Sequence, residues 1–430
     1  MRGWLFRFLG RMVEVRPGEA KALAWSWLYF FSVLSAYYVI RPIRDEMGVA
    51  GGVENLPWLF TGTLVGMTVL NPPFAALVAR LAPVRFIAVT YRFFMANLVV
   101  FLFLVSATSG EQNIWVGRAF YIWSSIFNLF VVSVFWAFLA DAFDNDQGRR
   151  LFGFIAAGGT LGGIAGSTLT ASLVRHTGSA MLLLVSAALL ELAVFSVRRL
   201  SKISAALRER RAARGQDVPV GGGVLSGLSH AVKSPYLLNI SLYMLLFTTL
   251  STFLYFQLVN VVGQSITDRA ARTALFANID LAVNILTLAI QLLLTGRILK
   301  ALGVAITLTL LPALSAAGFL LVGLAPGLWV IVIFQALRRA GNFAVARPTR
   351  EVLYTVTSRE DRFKAKSFID TFFYRAGDQV GAWSYAWMGS LGLGLSGIGF
   401  AAVPISIVWL LNGLWLGRRQ EKMKLSAGAY

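Results

Sequence analysis

Residues 20–40, AKALAWSWLYFFSVLSAYYVI, carry a single charge, at Lys21. As a helix they would cross the hydrocarbon of a bilayer, which takes about 20 mostly apolar residues. The next six residues, 41–46, read RPIRDE. A membrane-length apolar run closed by a burst of charge decides the reading because it recurs. Further candidate spans are 56–79, 84–107, 114–140, 152–174, 178–196, 236–262, 272–295, 302–323, 328–347, 366–390 and 395–416. The expectation is an all-α membrane protein with twelve transmembrane helices.

Composition points the same way. The 430 residues are 57% hydrophobic and 14% charged, whereas a soluble domain carries about 25% charged residues. The formal net charge of +19 is concentrated between the apolar runs. One set of loops holds Arg2 to Lys21, Arg80 and Arg85, Arg149 and Arg150, Arg198 to Lys233, Arg297 and Lys300, Arg347 to Lys366, and Arg418 to Lys424. The opposite set holds Arg41, Arg44, Arg175, Arg269 and Arg272. By the positive-inside rule both termini are cytoplasmic. The charge therefore reads as membrane topology, and no nucleic acid partner is expected. The chain has no cysteine and two histidines, His176 and His230. That excludes disulfides and thiolate chemistry, and it argues against a histidine metal site or a membrane acyl- or glycosyltransferase. No catalytic residue, metal or cofactor is expected; the partners are the lipid bilayer and a small solute, and the chain is expected to act as a monomer.

Residues 197–235 are basic, then glycine-rich at Gly221–Gly223, with Pro219 and Pro235. They read as a cytoplasmic linker between a first bundle, 1–196, and a second, 236–430. Its opening, SKISAALRERRAARG, has helical spacing and suits a membrane surface as well as a solvated loop. Arg150-x-x-x-Phe154-Ile155 matches Lys364-x-x-x-Phe368-Ile369, and Ala79-Arg80 matches Gly296-Arg297, at nearly one offset. Duplicated six-helix halves with a cytoplasmic linker are the plan of the major facilitator fold.

Polar residues inside apolar spans are the site candidates, since each charge there costs at least about 2.5–3.5 kcal/mol. Gln335, Arg338, Arg339 and Asn342 share one helical face in span 10. They would either bind an anion, whose oxygens match the guanidinium fork, or sit at the cytoplasmic mouth. Span 8 carries a stripe of Asp280, Asn284, Thr287 and Gln291. Span 11 carries Asp370, Arg375 and Asp378, readable as an internal ion pair or as a pair that opens during a cycle. Tyr37, Arg41 and Arg44 share a face at the end of span 1, where Pro42 can bend the helix. Glycines 158, 162 and 166, and 159 and 163, form small-xxx-small patterns suited to close helix packing. Asp141, Asp144 and Asp146 stand near Arg149 and Arg150 as a gate latch or a solvated loop.

Four stretches, YYVIRPIRDEMG, FWAFLADAFDNDQGRRLFGFIAAGGTLGG, FANIDLAVNILTLAIQLLLTGRILKALG and KAKSFIDTFFYRAGDQVGAW, together resemble the ATP/ADP antiporter family of intracellular bacteria and plastids and its bacterial relatives. The resemblance implies a major facilitator-like fold, a bacterial inner membrane, and exchange of nucleotides by alternating access. The family's helix 1 pattern of Arg, then Lys and Asp, falls on Arg41, Arg44 and Asp45, with Arg replacing Lys. Its acidic or amide position in helix 4 falls on Asp141, and its basic position in helix 11 falls on Asp378. The expected function is transport of an anionic solute, phosphorylated or nucleotide. Asp45, Asp141, Asp370 and Asp378 would serve as gating or ion-pair residues. The alternative is a lysophospholipid-type translocase or another major facilitator exporter.

Overall fold

The computed structural model describes residues 15–16, 19–143, 145–212, 234–357, 366 and 368–427. They form helices α1 (Ala20–Ala50), α2 (Leu56–Arg80), α3 (Pro83–Ala107), α4 (Gly110–Ala142), α5 (Asn145–Ala212), α6 (Pro235–Ser265), α7 (Arg269–Leu293), α8 (Thr295–Leu324), α9 (Leu328–Gly341), α10 (Arg347–Leu353), α11 (Tyr374–Ser390) and α12 (Leu395–Ala427). No strand occurs among the described residues. Nine helical stretches among them are long and apolar enough to cross a membrane. The element count is not a span count. The 68-residue α5 is two helices joined at Gly178, whose φ of +73° breaks the ladder; this left-handed position suits glycine, which lacks a Cβ. It replaces the turn expected at Arg175–Thr177. Helices α9 and α10 belong to one stretch, Leu328–Val356. Exposed tryptophans lie near helix ends at Trp58, Trp115, Trp329 and Trp387, as amphipathic rings do at headgroup depth.

The first span differs from its expected limits. Helix α1 continues ten residues beyond Ile40 to Ala50 and carries Pro42 inside it. Its RPIRDE segment is therefore helical, and Arg41 and Glu46 find partners on α7. Helix α5 runs on through Ala212, so the opening of the expected linker is helical; residues 213–233 and Asp144 lie outside the described residues.

By contacts the chain divides into two compact units. One comprises Met1–Gly51, Gly62–Pro219 and Asp268–Leu281; the other comprises Gly52–Thr61, Val220–Thr267 and Ala282–Tyr430. In the first, α1 packs along α5, and α3 packs along the second arm of α5. The glycine pattern makes the α1–α5 seam. A Cβ on Gly162 would overlap the Phe31 carbonyl, and one on Gly166 would overlap that of Ser35. Across this seam the Ser35 hydroxyl donates to the Gly162 carbonyl at 3.0 Å, and Thr170 to that of Val39 at 3.0 Å. In the second unit α6 packs along α11, and α8 along α12. There Thr249 donates to the Gly377 carbonyl at 3.2 Å, and Gly377 and Gly381 face α6. Tyr29 shares a 2.7 Å hydrogen bond with Tyr91 of α3, while Tyr243 donates to Leu308 of α8 at 2.9 Å. Tyr29 and Tyr243, like Ser35 and Thr249, are separated by one and the same interval along the chain.

Before α1, Glu19 is buried at 5% exposure. It accepts from Arg150 at 3.1 and 3.2 Å, Gln147 at 2.8 Å and the Arg16 backbone N–H at 2.9 Å. Burial pushes this carboxyl up, but the Arg150, Arg16 and Gln147 donors outweigh burial and hold it below the usual carboxylate range.

Two predictions follow from the seam and this cluster. Gly162→Val should lower the melting temperature of the detergent-solubilised protein by several degrees, whereas Gly153→Ala, with open space at its Cβ, should be neutral or slightly stabilising, by up to about 1 kcal/mol. Because the folded pKa of Glu19 is depressed, its contribution is complete above the unfolded value, about 4.3, and is lost as pH falls through the folded value. Glu19→Gln should therefore cost on the order of 1 kcal/mol at pH 7. In melting curves recorded against pH, wild type and variant should converge at acid pH.

Candidate functional site

The first unit concentrates charge where α1 meets the N-terminal part of α7. Arg41 Nη1 lies 3.3 Å from Asp280 Oδ1, and its Nε lies 3.9 Å from Asp45 Oδ2. Arg44 binds Asp45 Oδ1 through Nε at 3.0 Å and Nη2 at 2.6 Å. At the next residue, Arg269 grips Glu46 with two bonds of 2.8 and 3.0 Å and donates to Asn113 at 2.7 Å. Asp280, Glu46 and Asp45 are 1%, 3% and 4% exposed. The sequence dictates this locally. On α1, Arg41 and Asp45 are one turn apart and share a face. On α7, Arg269, Thr273, Ala277 and Asp280 fall at helical spacing, and the last three are buried. Aromatic faces complete the lining: Arg41 lies 5.7 Å from the Tyr38 ring centroid, and Arg44 5.2 Å from that of Tyr121. Tyr37 is buried and stacks edge-on against Tyr38 at 5.4 Å.

Of the expected residues, Tyr37, Arg41, Arg44, Asp45 and Asp280 are thus brought into one cluster. Asp141 is exposed in the last turn of α4. Arg150 pairs with Glu19 at 3.1 Å; Asp144 and the side chains of Asp146 and Arg149, the other members of the expected latch, lie outside the described residues. The stripe on α7 divides: Asp280 belongs to the first unit, while Asn284, Thr287 and Gln291 belong to the second. Gln291 donates to the Phe343 carbonyl at 3.2 Å.

In the second unit Arg338 is 2% exposed. Its Nε donates to Ser315 at 2.9 Å, Nη1 to Ser251 at 2.7 Å, and Nη2 to the Phe247 carbonyl at 3.1 Å. The guanidinium lies 5.3 Å from the ring centroid of Phe247 and 5.7 Å from that of Trp409. No described carboxylate pairs with it. Gln335 is buried, and Arg339 and Asn342 are half-buried. Asn342 opens a π-helical turn, Asn342–Ala346, and a second such turn, Ile369–Phe373, precedes α11. Such turns are frequent at functional sites because they realign the side chains that follow. Arg375 pairs with Asp378 at 3.2 Å, and Asp370 is exposed in the second π-helical turn.

Sequence reading missed Glu46, Arg269, Asn113 and Glu19 as partners. Arg269 and Asp280 stand three turns apart on one face of α7, a spacing that could have suggested a shared face. Nothing in the sequence marks Asn113 or Glu19.

No protein-family model matches the chain, and no curated protein matches its sequence. Solved structures do match. A bacterial homologue of the human lysosomal transporter Spinster, inward-facing and unoccupied, is 12% identical with a TM-score of 0.59, over 95% of this chain and 99% of that one. A bacterial homologue of the iron transporter ferroportin, also inward-facing, is 11% identical with a TM-score of 0.63, over 94% and 98%. A POT family transporter in complex with a thioalcohol-conjugated peptide is 11% identical with a TM-score of 0.62, over 93% and 96%. At such identities the likeness is one of fold. The chain is an all-α membrane protein with a major facilitator-like architecture.

The buried ion pair makes a double-mutant prediction. Removing one partner of such a pair strands a charge at a cost of about 3–5 kcal/mol, while replacing both with apolar residues is often neutral. Asp280→Leu alone should lower the melting temperature markedly. Combining it with Arg41→Met should recover most of the loss, as read by a thermal-unfolding cycle in detergent.

Proposed function

We propose that this chain is a secondary transporter that moves a small anionic solute by alternating access. The observation that carries the reading is the α1–α7 cluster: Arg41 and Arg44 held by Asp45 and Asp280 within helices of membrane length. A buried ion pair adds little net stability over an apolar replacement, but either charge left alone is costly, so an incoming anion can take a carboxylate's place at little net cost. An entering anion can replace Asp280 or Asp45 on a guanidinium, since phosphate and carboxylate present the same pairs of acceptor oxygens. The displaced carboxylate then weakens the contact of α7 with α1, and Glu46–Arg269 is the second contact to release.

The transporter neighbours support this class. The resemblance to ATP/ADP antiporters makes nucleotides the first solutes to test, with exchange as the mode. Asp378 is acidic where that resemblance implies a basic residue, so sugar phosphates and organic anions belong in the same panel. In this reading the protein carries out no reaction chemistry, works as a monomer, and spans a bacterial inner membrane many times with both termini in the cytoplasm.

Uptake into proteoliposomes preloaded with nucleotides, sugar phosphates or dicarboxylates tests the proposal. At least one labelled anion should enter faster with a counter-anion inside, and Arg41→Gln should cut that rate by about tenfold or more, on the order of one lost charge-assisted hydrogen bond. Uptake of only neutral or cationic solutes, unchanged in Arg41→Gln, would overturn it.

A further inference from the structure

Away from the α1–α7 cluster, the first unit carries a second group of arginines on its surface. Helix α3 presents Arg85, Ala88, Val89 and Arg92 at successive helical positions on one face, and the second arm of α5 presents Glu191, Phe195 and Arg198. Where the two helices meet they border an open groove of about 490 Å³ lined by Val84, Arg85, Ala88, Val89, Arg92 and Arg198, among others. Apart from the three guanidinium groups its lining is apolar. Arg92 is already neutralised by Glu191, with bonds of 2.6 and 3.2 Å. Among the described residues, Arg85 and Arg198 have no carboxylate partner, and both are exposed.

We propose that this groove retains an anionic phospholipid of the adjoining leaflet. One phosphodiester, a monoanion with two non-bridging oxygens, offers one acceptor oxygen to each of the two free guanidinium groups and offsets half of their charge. Their place supports a headgroup: Arg85 is the third residue of α3, and Arg198 lies beyond the apolar part of its arm. The paired Arg92 lies about 10 Å deeper, at the 1.5 Å rise of a helix. Around the Arg92–Glu191 pair the surface is otherwise apolar and open, with Val89 47%, Phe93 61%, Leu192 37% and Phe195 44% exposed. That strip suits acyl chains. Basic pockets of this kind between membrane helices bind anionic headgroups. A soluble anion would leave the strip unused, and a zwitterionic lipid would bring a choline against two guanidinium groups. The proposal concerns a retained lipid and is independent of the transported solute.

The test uses the full chain in detergent with phosphatidylglycerol or phosphatidylcholine of identical acyl chains. Native mass spectrometry should show phosphatidylglycerol retained in preference, and it should raise the melting temperature by several degrees where phosphatidylcholine does not. Arg85→Gln combined with Arg198→Gln should weaken phosphatidylglycerol binding about tenfold or more. Arg199→Gln combined with Arg175→Gln is the charge-matched control, because neither side chain lines the groove; it should bind as wild type does. Equal retention of the two lipids by wild type, an equal shift from inorganic phosphate alone, or equal losses in the control and the Arg85 and Arg198 variant would each overturn the assignment. The lipid comparison on wild-type protein decides even if a variant folds poorly.

Discussion

A guanidinium group within an apolar bundle keeps its charge only if something nearby replaces water, and the arrangement of this protein follows from how that requirement is met. Three solutions appear. Arg41 and Arg44 are met by carboxylates, Asp45 and Asp280. Arg338 is met by two hydroxyls, a backbone carbonyl and two aromatic faces. Arg92, at the surface of its unit, is met by Glu191 on the neighbouring helix arm. Each solution fixes which helices must be neighbours. The first draws α7 onto α1 and keeps RPIRDE helical past Pro42. The second ties α9 to α6 and α8.

Those ties rest on backbones that approach closely, and the approach is made twice by the same device. A hydroxyl on α1 or α6 reaches a glycine carbonyl on α5 or α11, where only a hydrogen on the glycine Cα leaves room. A tyrosine six residues earlier reaches the next helix, α3 or α8. Lipid offers no hydrophobic drive for helices to associate, so small residues and interhelical hydrogen bonds have to supply the contact. The equal spacing of the two sets supports the duplication suggested by the sequence offsets, now through contacts and not merely through matched letters.

Much of the fold was legible because membrane insertion leaves a strong signal. Long apolar runs, charged loops and glycines at every fourth position survive as patterns whatever the tertiary detail. The end of α1 at Ala50 is hidden for the opposite reason. A burst of charge normally marks water, and only the partners Asp280 and Arg269, more than 220 residues away, allow it to remain inside a helix. Separation along the chain also hid Glu46–Arg269 and, across 131 residues, Glu19–Arg150. The face Gln335–Arg338–Arg339–Asn342 is α-helical up to Gly341, as its spacing predicts. The π-helical turn that begins at Asn342 is set by packing and has no signature in side-chain spacing.

The two kinds of arginine also differ in what they can do. Arg41 has partners that carry charge, so an anion that takes their place exchanges one ion pair for another at little net cost. Every nitrogen of Arg338 is occupied by a neutral acceptor, and it is 2% exposed. An anion reaching it would have to displace Ser315, Ser251 and a backbone carbonyl together, each loss leaving a buried polar group unpaired at about 1–3 kcal/mol. On the transport reading, Arg338 therefore acts as a fixed source of positive potential within its own unit. The exchange of partners that a transport cycle needs falls to Arg41 and Arg44.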